Sequence, residues 1–165
     1  MTYKTEKEQR VAEFAIELIE EYLPGGDWSF TIDRRSRKTH GYCKHNLRTG
    51  GGVIGVAAFI IDHADDDEIM DTVTHELSHG LCGPHEGHGN LWQETHKALG
   101  GNGERYARAI PDAPLGRYRA DCPACGTTGI AWRWRIAPTM KRATHNPCGS
   151  AVQWVDVETG EVRDF

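Results

Sequence analysis

The alternation of apolar and polar positions sets out a series of elements. Val11, Phe14, Ala15, Leu18, Ile19 and Tyr22 recur at helical spacing, predicting an amphipathic helix over 4–23 that Pro24-Gly25-Gly26 ends. Trp28, Phe30 and Ile32 then alternate with Ser29, Thr31 and Asp33, the period of a half-buried strand. Arg34, Arg35, Arg37 and Lys38 read as a solvated basic turn before a second strand over 39–45. After Thr49-Gly50-Gly51-Gly52 the run 53–61 is apolar on both faces, which predicts a central strand. Helical spacing returns with Ile69, Val73 and Leu77, on a helix expected from Glu68 to about Cys82. Asp65 and Glu68 have the spacing of a capping box, and the acids around them suit the positive end of a helix dipole. Gly83-Pro84 stops this helix, and another is expected from about His88 to Leu99, closed by Gly100-Gly101. A short helical piece over 104–110 and a linker containing Pro111 and Pro114 follow.

Late in the 68–82 helix stands His75-Glu76-Leu77-Ser78-His79. Residues four apart share a helix face, so both imidazoles reach a single ion. Glu76 projects from the neighbouring face, placed to touch a water on that ion rather than the ion itself. Two histidine ligands, a general base and an open coordination position make the layout of a zinc peptidase. A third protein ligand is then required, and His85, His88 and Glu94 are the candidates. His85 has the metzincin place, six after His79, but that pattern wants Gly three after His79, where Cys82 stands. Glu94 has the place a thermolysin-like enzyme would use. The break at Gly83-Pro84 and the flexible Gly87-His88-Gly89 let the following helix fold back and offer His88, with Trp92 and His96 on its face.

A second cluster lies near the C-terminus. Cys122-Pro123-Ala124-Cys125-Gly126 and His145-Asn146-Pro147-Cys148-Gly149 are both x-x spaced pairs closed by glycine, which permits the positive φ of a zinc knuckle. Three thiolates and one imidazole complete a tetrahedral shell with no position for water, so this site reads as structural. Between the pairs, Trp132-Arg133-Trp134-Arg135 alternates on an expected strand, indoles on one face and guanidiniums on the other. The indoles read mostly as core of a module poor in apolar residues, the arginines as phosphate-facing.

Composition changes this picture in two ways. The chain has 165 residues, 38% apolar and 26% charged, enough for one domain with a small module. Its net charge of −5 hides an asymmetry: seven acids and no Lys or Arg occupy 62–76. Arg117, Arg119, Arg133, Arg135, Lys141 and Arg142 face Asp121 alone up to Cys148, a balance of +5 that makes these six the candidate nucleic-acid contacts. The N-terminus is charged and lacks an apolar leader core, and 53–61 is too short to span a bilayer. The expectation is a cytoplasmic protein with no membrane partner, its five cysteines reduced, and Cys43 and Cys82 buried free thiols.

His75-Glu76-x-x-His79 followed by His88-Gly89-x-x-Trp92 resembles the SprT-like, or Spartan-type, metallopeptidases. The order of helix, strands, active-site helix and ligand helix is similar too, over most of 10–110. The resemblance implies that His88 is the third ligand of a catalytic Zn²⁺ and that Glu76 is the base. It implies an α+β, zincin-like domain over 1–114 with a small, mainly antiparallel sheet. A zinc ribbon over 115–165 would hold a structural Zn²⁺ on Cys122, Cys125, His145 and Cys148. Family members often carry such a ribbon with four Cys, and His145 departs from that. The implied substrates are proteins bound or crosslinked to DNA, as in DNA repair, with DNA as activator and a nucleoid-associated location. Two other readings stand beside it: a DNA-binding ribbon protein whose first domain only scaffolds, and a peptidase with no nucleic-acid partner.

Overall fold

The first amphipathic stretch becomes helix α1 (Glu6–Tyr22), capped by Thr5, whose hydroxyl accepts from the Glu8 N–H at 3.1 Å. The structure, a computed structural model, describes residues 3–110 and 113–163, so Pro111 of the expected linker lies outside them. The chain divides into two units, Met1–Pro111 and Asp112–Phe165. Among the described residues no helix is long and apolar enough to cross a membrane. The α+β class expected for the first unit is present.

In the first unit α1 lays Val11, Ala12, Ala15 and Ile19 onto a three-stranded sheet, with β1 (Trp28–Asp33), β2 (Gly41–Asn46) and β3 (Gly51–Ala57) in the order β1-β3-β2. The sheet is mixed rather than mainly antiparallel: β2 pairs antiparallel with β3, and β1 pairs parallel with it. A tight turn joins β2 to β3 and makes them a hairpin. That fills one edge of β3 and leaves β1 the other, where its direction is parallel. The turn between β1 and β2 is not wholly solvated, because Arg34 reaches back to the buried Glu8 of α1, with Nη2 donating to Oε2 at 2.8 Å.

The apolar run 53–61 is only half strand. Its last partners are Asp33 on β1 and Gly41 on β2, opposite Ala57 and Val56. Beyond Ala57 neither neighbour continues, so the backbone satisfies itself as helix α2 (Ala58–His63) and still buries Ile60 and Ile61. Helix α3 (Asp66–Cys82) follows and seals the core with Ile69, Val73 and Leu77. Asp65 caps it by accepting from the Glu68 N–H at 2.8 Å. The Glu68 carboxylate does not return to the cap but holds Arg108, accepting from its backbone N–H at 3.1 Å and from Nε at 2.9 Å. Helix α4 (Asn90–Ala98) packs on α3.

No helix forms over 104–110. The Arg108 N–H, which would bond back to the Glu104 carbonyl, goes to Glu68 instead, while the Asn102 N–H bonds to Asp71 Oδ1 and the Glu104 N–H to Asn102 Oδ1. The segment is thereby strapped along α3.

In the second unit β4 (Tyr118–Asp121), β5 (Ala131–Arg133), β6 (Gln153–Asp156) and β7 (Val162–Arg163) form an antiparallel sheet in the order β5-β4-β6-β7. Its core is Tyr118, Ala120, Met140 and Trp154. Trp132 and Trp134 are half-buried and outside that core, because β5 ends at Arg133 and the alternation does not continue past it.

Candidate metal centre and catalytic groove

Helix α3 presents His75 and His79 one turn apart, and the turn after Gly87 brings His88 to them just before α4. The Nε2 atoms of His75 and His88 are 3.0 Å apart, and those of His79 and His88 are 3.1 Å apart. Ligand nitrogens about 2.0–2.1 Å from a tetrahedral zinc lie roughly 3.3 Å from one another, so the three rings fit such an ion closely. Burial pushes His75 down to about 3 and His79 to about 4, and it lowers His88, with the positive charge of Arg105 adding to the effect. At neutral pH all three are therefore uncharged imidazoles with lone pairs to offer. Among the described residues His85 and Glu94 do not join the cluster; His85 is an exposed wall residue, and Glu94 is exposed on α4.

Tryptophan 92 holds the ligand turn in place. It is 1% exposed, donates from Nε1 to the His75 carbonyl at 3.3 Å, and has the rings of His75, His79, His88 and His96 around it. His96 is fully buried and structural. Its Nδ1 accepts from the Gly103 N–H at 3.2 Å, so Nε2 carries the proton and faces Thr74 Oγ1 at 3.1 Å and the Asp71 carbonyl at 3.3 Å. Both ring nitrogens are thus engaged, so His96 offers no proton to the groove. A Cβ on Gly101 would run into the His96 ring, so only glycine leaves room for it.

Glu76 is 8% exposed, and its side chain lies against β2 at Gly41. Burial pushes its carboxyl up to about 8. A group poised near neutrality is suited to taking and returning a proton. A cleft of about 630 Å³ opens on one side, walled by Tyr42, Cys43, His45, Pro84 and His85. A second cavity of about 370 Å³ opens on the other, walled by Lys38, His40, Arg105 and Tyr106. His75 and Glu76 line both. Strand β2, the edge of its sheet, runs past the two, with Gly41 beside Glu76 and His45 Nε2 donating to the His79 carbonyl at 3.0 Å.

The second cluster is equally close. Cys122 and Cys148 Sγ are 3.5 Å apart, and His145 Nδ1 is 3.3 Å from Cys125 Sγ and 3.4 Å from Cys148 Sγ. Gly126 and Gly149 take φ of 72° and 68°, and their N–H groups close the turns onto the Cys122 and His145 carbonyls. The Thr127 hydroxyl beside Cys125 helps bring that thiol down to about 6, in the thiolate range. Four such donors within reach of one point fit a zinc ion.

Compared with known protein families, residues 9–112 match the SprT-like family. The chain belongs to that family. No match is found among curated proteins. SprT-like membership carries a metallopeptidase-type function, and the histidine and cysteine groups fit zinc.

The six basic residues expected to meet nucleic acid divide into two sets in this SprT-like chain. Arg117 is tied to buried Asp156 through Nη2 at 3.0 Å and Nε at 3.1 Å, and Arg119 is tied to Asp121 at 2.8 Å. Arg133, Arg135, Lys141 and Arg142 are exposed. The +5 balance ran from Arg117 to Cys148 and so omitted Asp112, Asp156, Glu158, Glu161 and Asp164 as well as Arg163. Over all of Asp112–Phe165 seven Arg and Lys face six Asp and Glu, a balance of +1. Gly41 and Arg105 were not singled out by the sequence. For Gly41 the available signal was an isolated glycine at a strand start, which marks a close approach.

Proposed function

We propose that the protein is a zinc-dependent endopeptidase: a zincin-like domain over 1–114 carrying His75, His79, His88 and Glu76, and a zinc ribbon over 115–165. One observation carries the reading: three neutral imidazole nitrogens converge beside a buried carboxyl in a groove flanked by a sheet edge. A bound Zn²⁺ supplies Lewis acidity, lowering the pKa of water toward ~7 and polarising a peptide carbonyl. The protein's own residues do the rest. Strand β2 offers the N–H and C=O groups of its free edge to an extended substrate. Glu76 takes the proton of the attacking water and returns it to the leaving amine. Trp92, locked between α3 and α4, keeps the three rings aimed at one point.

The test is Glu76→Gln in protein loaded with two zinc ions per chain. The ligands are untouched, so zinc should stay while hydrolysis of an unfolded protein falls by at least ~10²-fold. Parental activity in that variant refutes the mechanism.

Cys122, Cys125, His145 and Cys148 would hold the structural ion, and the proposed partners are protein substrates together with DNA. DNA contact is assigned to Arg133, Arg135, Lys141 and Arg142, since Arg117 and Arg119 already serve carboxylates. Removing Arg133 and Arg135 together should reduce the slope of log affinity against log salt by about two contacts, each worth ~0.7–0.9. A protein that binds no oligonucleotide even at low salt has no such partner.

A further inference from the structure

The two halves of the groove differ in charge, and the difference predicts what they accept. The half beyond His79 is walled by Tyr42, Cys43, His45, Leu47, Pro84 and His85, with no Lys, Arg or Asp among its lining residues; Lys44, next along β2, lies over the Tyr42 ring at 4.4 Å from its centroid. The half beyond Glu76 has Lys38 on the wall that leads into β2 and Arg105 on the strap that follows α4. Neither cation makes an ion pair among the described residues; Arg105 only lies over the Tyr106 ring, at 5.2 Å from its centroid. Both are exposed. The acids that share this cavity are engaged. Asp71 accepts from the Asn102 N–H at 2.7 Å and from its Nδ2 at 2.8 Å, and Glu76 belongs to the catalytic centre. Two cations without carboxylate partners thus face a cavity that ends on the reacting centre.

Strand β2 gives the direction in which a substrate crosses. It runs from Gly41, beside Glu76, to His45, bonded to the His79 carbonyl. A guest strand pairing antiparallel with its free edge runs the other way. Residues before the cleaved bond then lie in the half beyond His79, and residues after it lie between Lys38 and Arg105.

We infer that the Lys38–Arg105 cavity is a specificity subsite for acidic side chains, Asp or Glu, within about two residues on the C-terminal side of the cleaved bond. This rests on the peptidase reading above. The cations are solvated, so each is worth a modest factor, roughly 2- to 5-fold in preference.

The experiment uses the full, zinc-loaded chain acting on unfolded protein, with the new N-termini sequenced by mass spectrometry. Asp and Glu should be enriched after the cut, and Lys38→Glu/Arg105→Glu should reverse the preference toward Lys and Arg with zinc content unchanged. A second measurement does not need cleavage. Zinc-loaded Glu76→Gln protein should bind a peptide carrying Asp residues more tightly than its Lys counterpart, and the order should invert when Lys38 and Arg105 are also reversed. Cleavage without acid enrichment, enrichment on the N-terminal side, or a preference unmoved by the reversal overturns the subsite and leaves the peptidase standing. An absence of any cleavage, with no peptide discrimination, removes both. Loss of oligonucleotide binding in the reversed protein, with peptide preference intact, gives these cations to phosphate and overturns the subsite as well.

Discussion

Gly41→Ala tests whether the position of the Glu76 carboxyl, and not merely its presence, sets the rate. Gly41 does not have a positive φ, so alanine can adopt its backbone and the effect is steric alone. An added Cβ would stand 2.8 Å from Glu76 Cγ, 3.0 Å from Glu76 Oε1 and 2.9 Å from the Gly55 carbonyl oxygen. Carbon pairs settle at about 3.5–4.0 Å, so Cγ must yield by roughly 0.7 Å or more. The Gly55 carbonyl belongs to central strand β3, paired on both sides, and gives way less easily than a side chain. Glu76 is therefore what moves. Misplacement of a reacting group by ~1 Å costs about 10²-fold, so the variant should lose about 10- to 100-fold in kcat. Its three imidazoles are untouched, and it should keep two zinc ions per chain. Overpacking should cost about 1–3 kcal/mol of stability, read as a lower Tm of the first unit. The assay is turnover of a fluorogenic unfolded substrate, with metal content measured on the same sample. A variant that keeps full zinc and turns over like the parent refutes the role of Gly41 in seating the base.

Two further outcomes follow from the geometry. His88→Ala should reduce bound zinc from two ions per chain to one by atomic emission, while His85→Ala keeps both; the reverse result would move the third ligand to His85. Glu8, buried and held below its ordinary range mainly by Arg34, should stabilise the first unit above its unfolded pKa of ~4.3, and lose that contribution as pH falls through its lowered folded value. In metal-free protein the gap in Tm between parent and Glu8→Gln should therefore be present at pH 7 and shrink at pH 3. A gap that stays constant over that range would contradict the assignment.

Local information was readable from the sequence and partner choice was not. The α1 and α3 helices follow from spacing that any window of the chain contains, and the cap at Asp65 follows from one side chain and one N–H. The fate of 53–61 does not. Its nine residues are apolar throughout, and periodicity cannot tell a buried strand from a buried helix. What decides it is how far β1 and β2 accompany it, and that is a property of other segments. The strap over 104–110 shows the same limit in reverse. Its residues suit a helix, but Glu68, forty residues earlier, takes the Arg108 N–H that would close the first turn, and Asp71 pins Asn102 just before it.

The candidate site divides along the same line. His75 and His79 are four apart on one helix, so their convergence was implied by the sequence itself, and His88 came from family resemblance and now sits 3.0 Å from His75. Nothing local announced that Gly41 lies under Glu76 or that Lys38 and Arg105 wall one cavity, since those pairs are 35 and 67 residues apart in the chain. Charge is the most deceptive case. A window ending at Cys148 is strongly basic, yet the acids that neutralise it lie in β6 and the turn after it, where Asp156 is buried against Arg117 and Arg163. An arginine that anchors a buried carboxylate cannot be lent to a phosphate without leaving that carboxylate unpaired, which is costly. Arg117 is held in this way, and Arg119 is paired with the partly exposed Asp121, so a nucleic-acid surface on the second unit draws first on Arg133, Arg135, Lys141 and Arg142. Four contacts rather than six give a salt slope of about −3 to −4, and a measured slope nearer −5 would mean that Arg117 and Arg119 abandon their partners on binding.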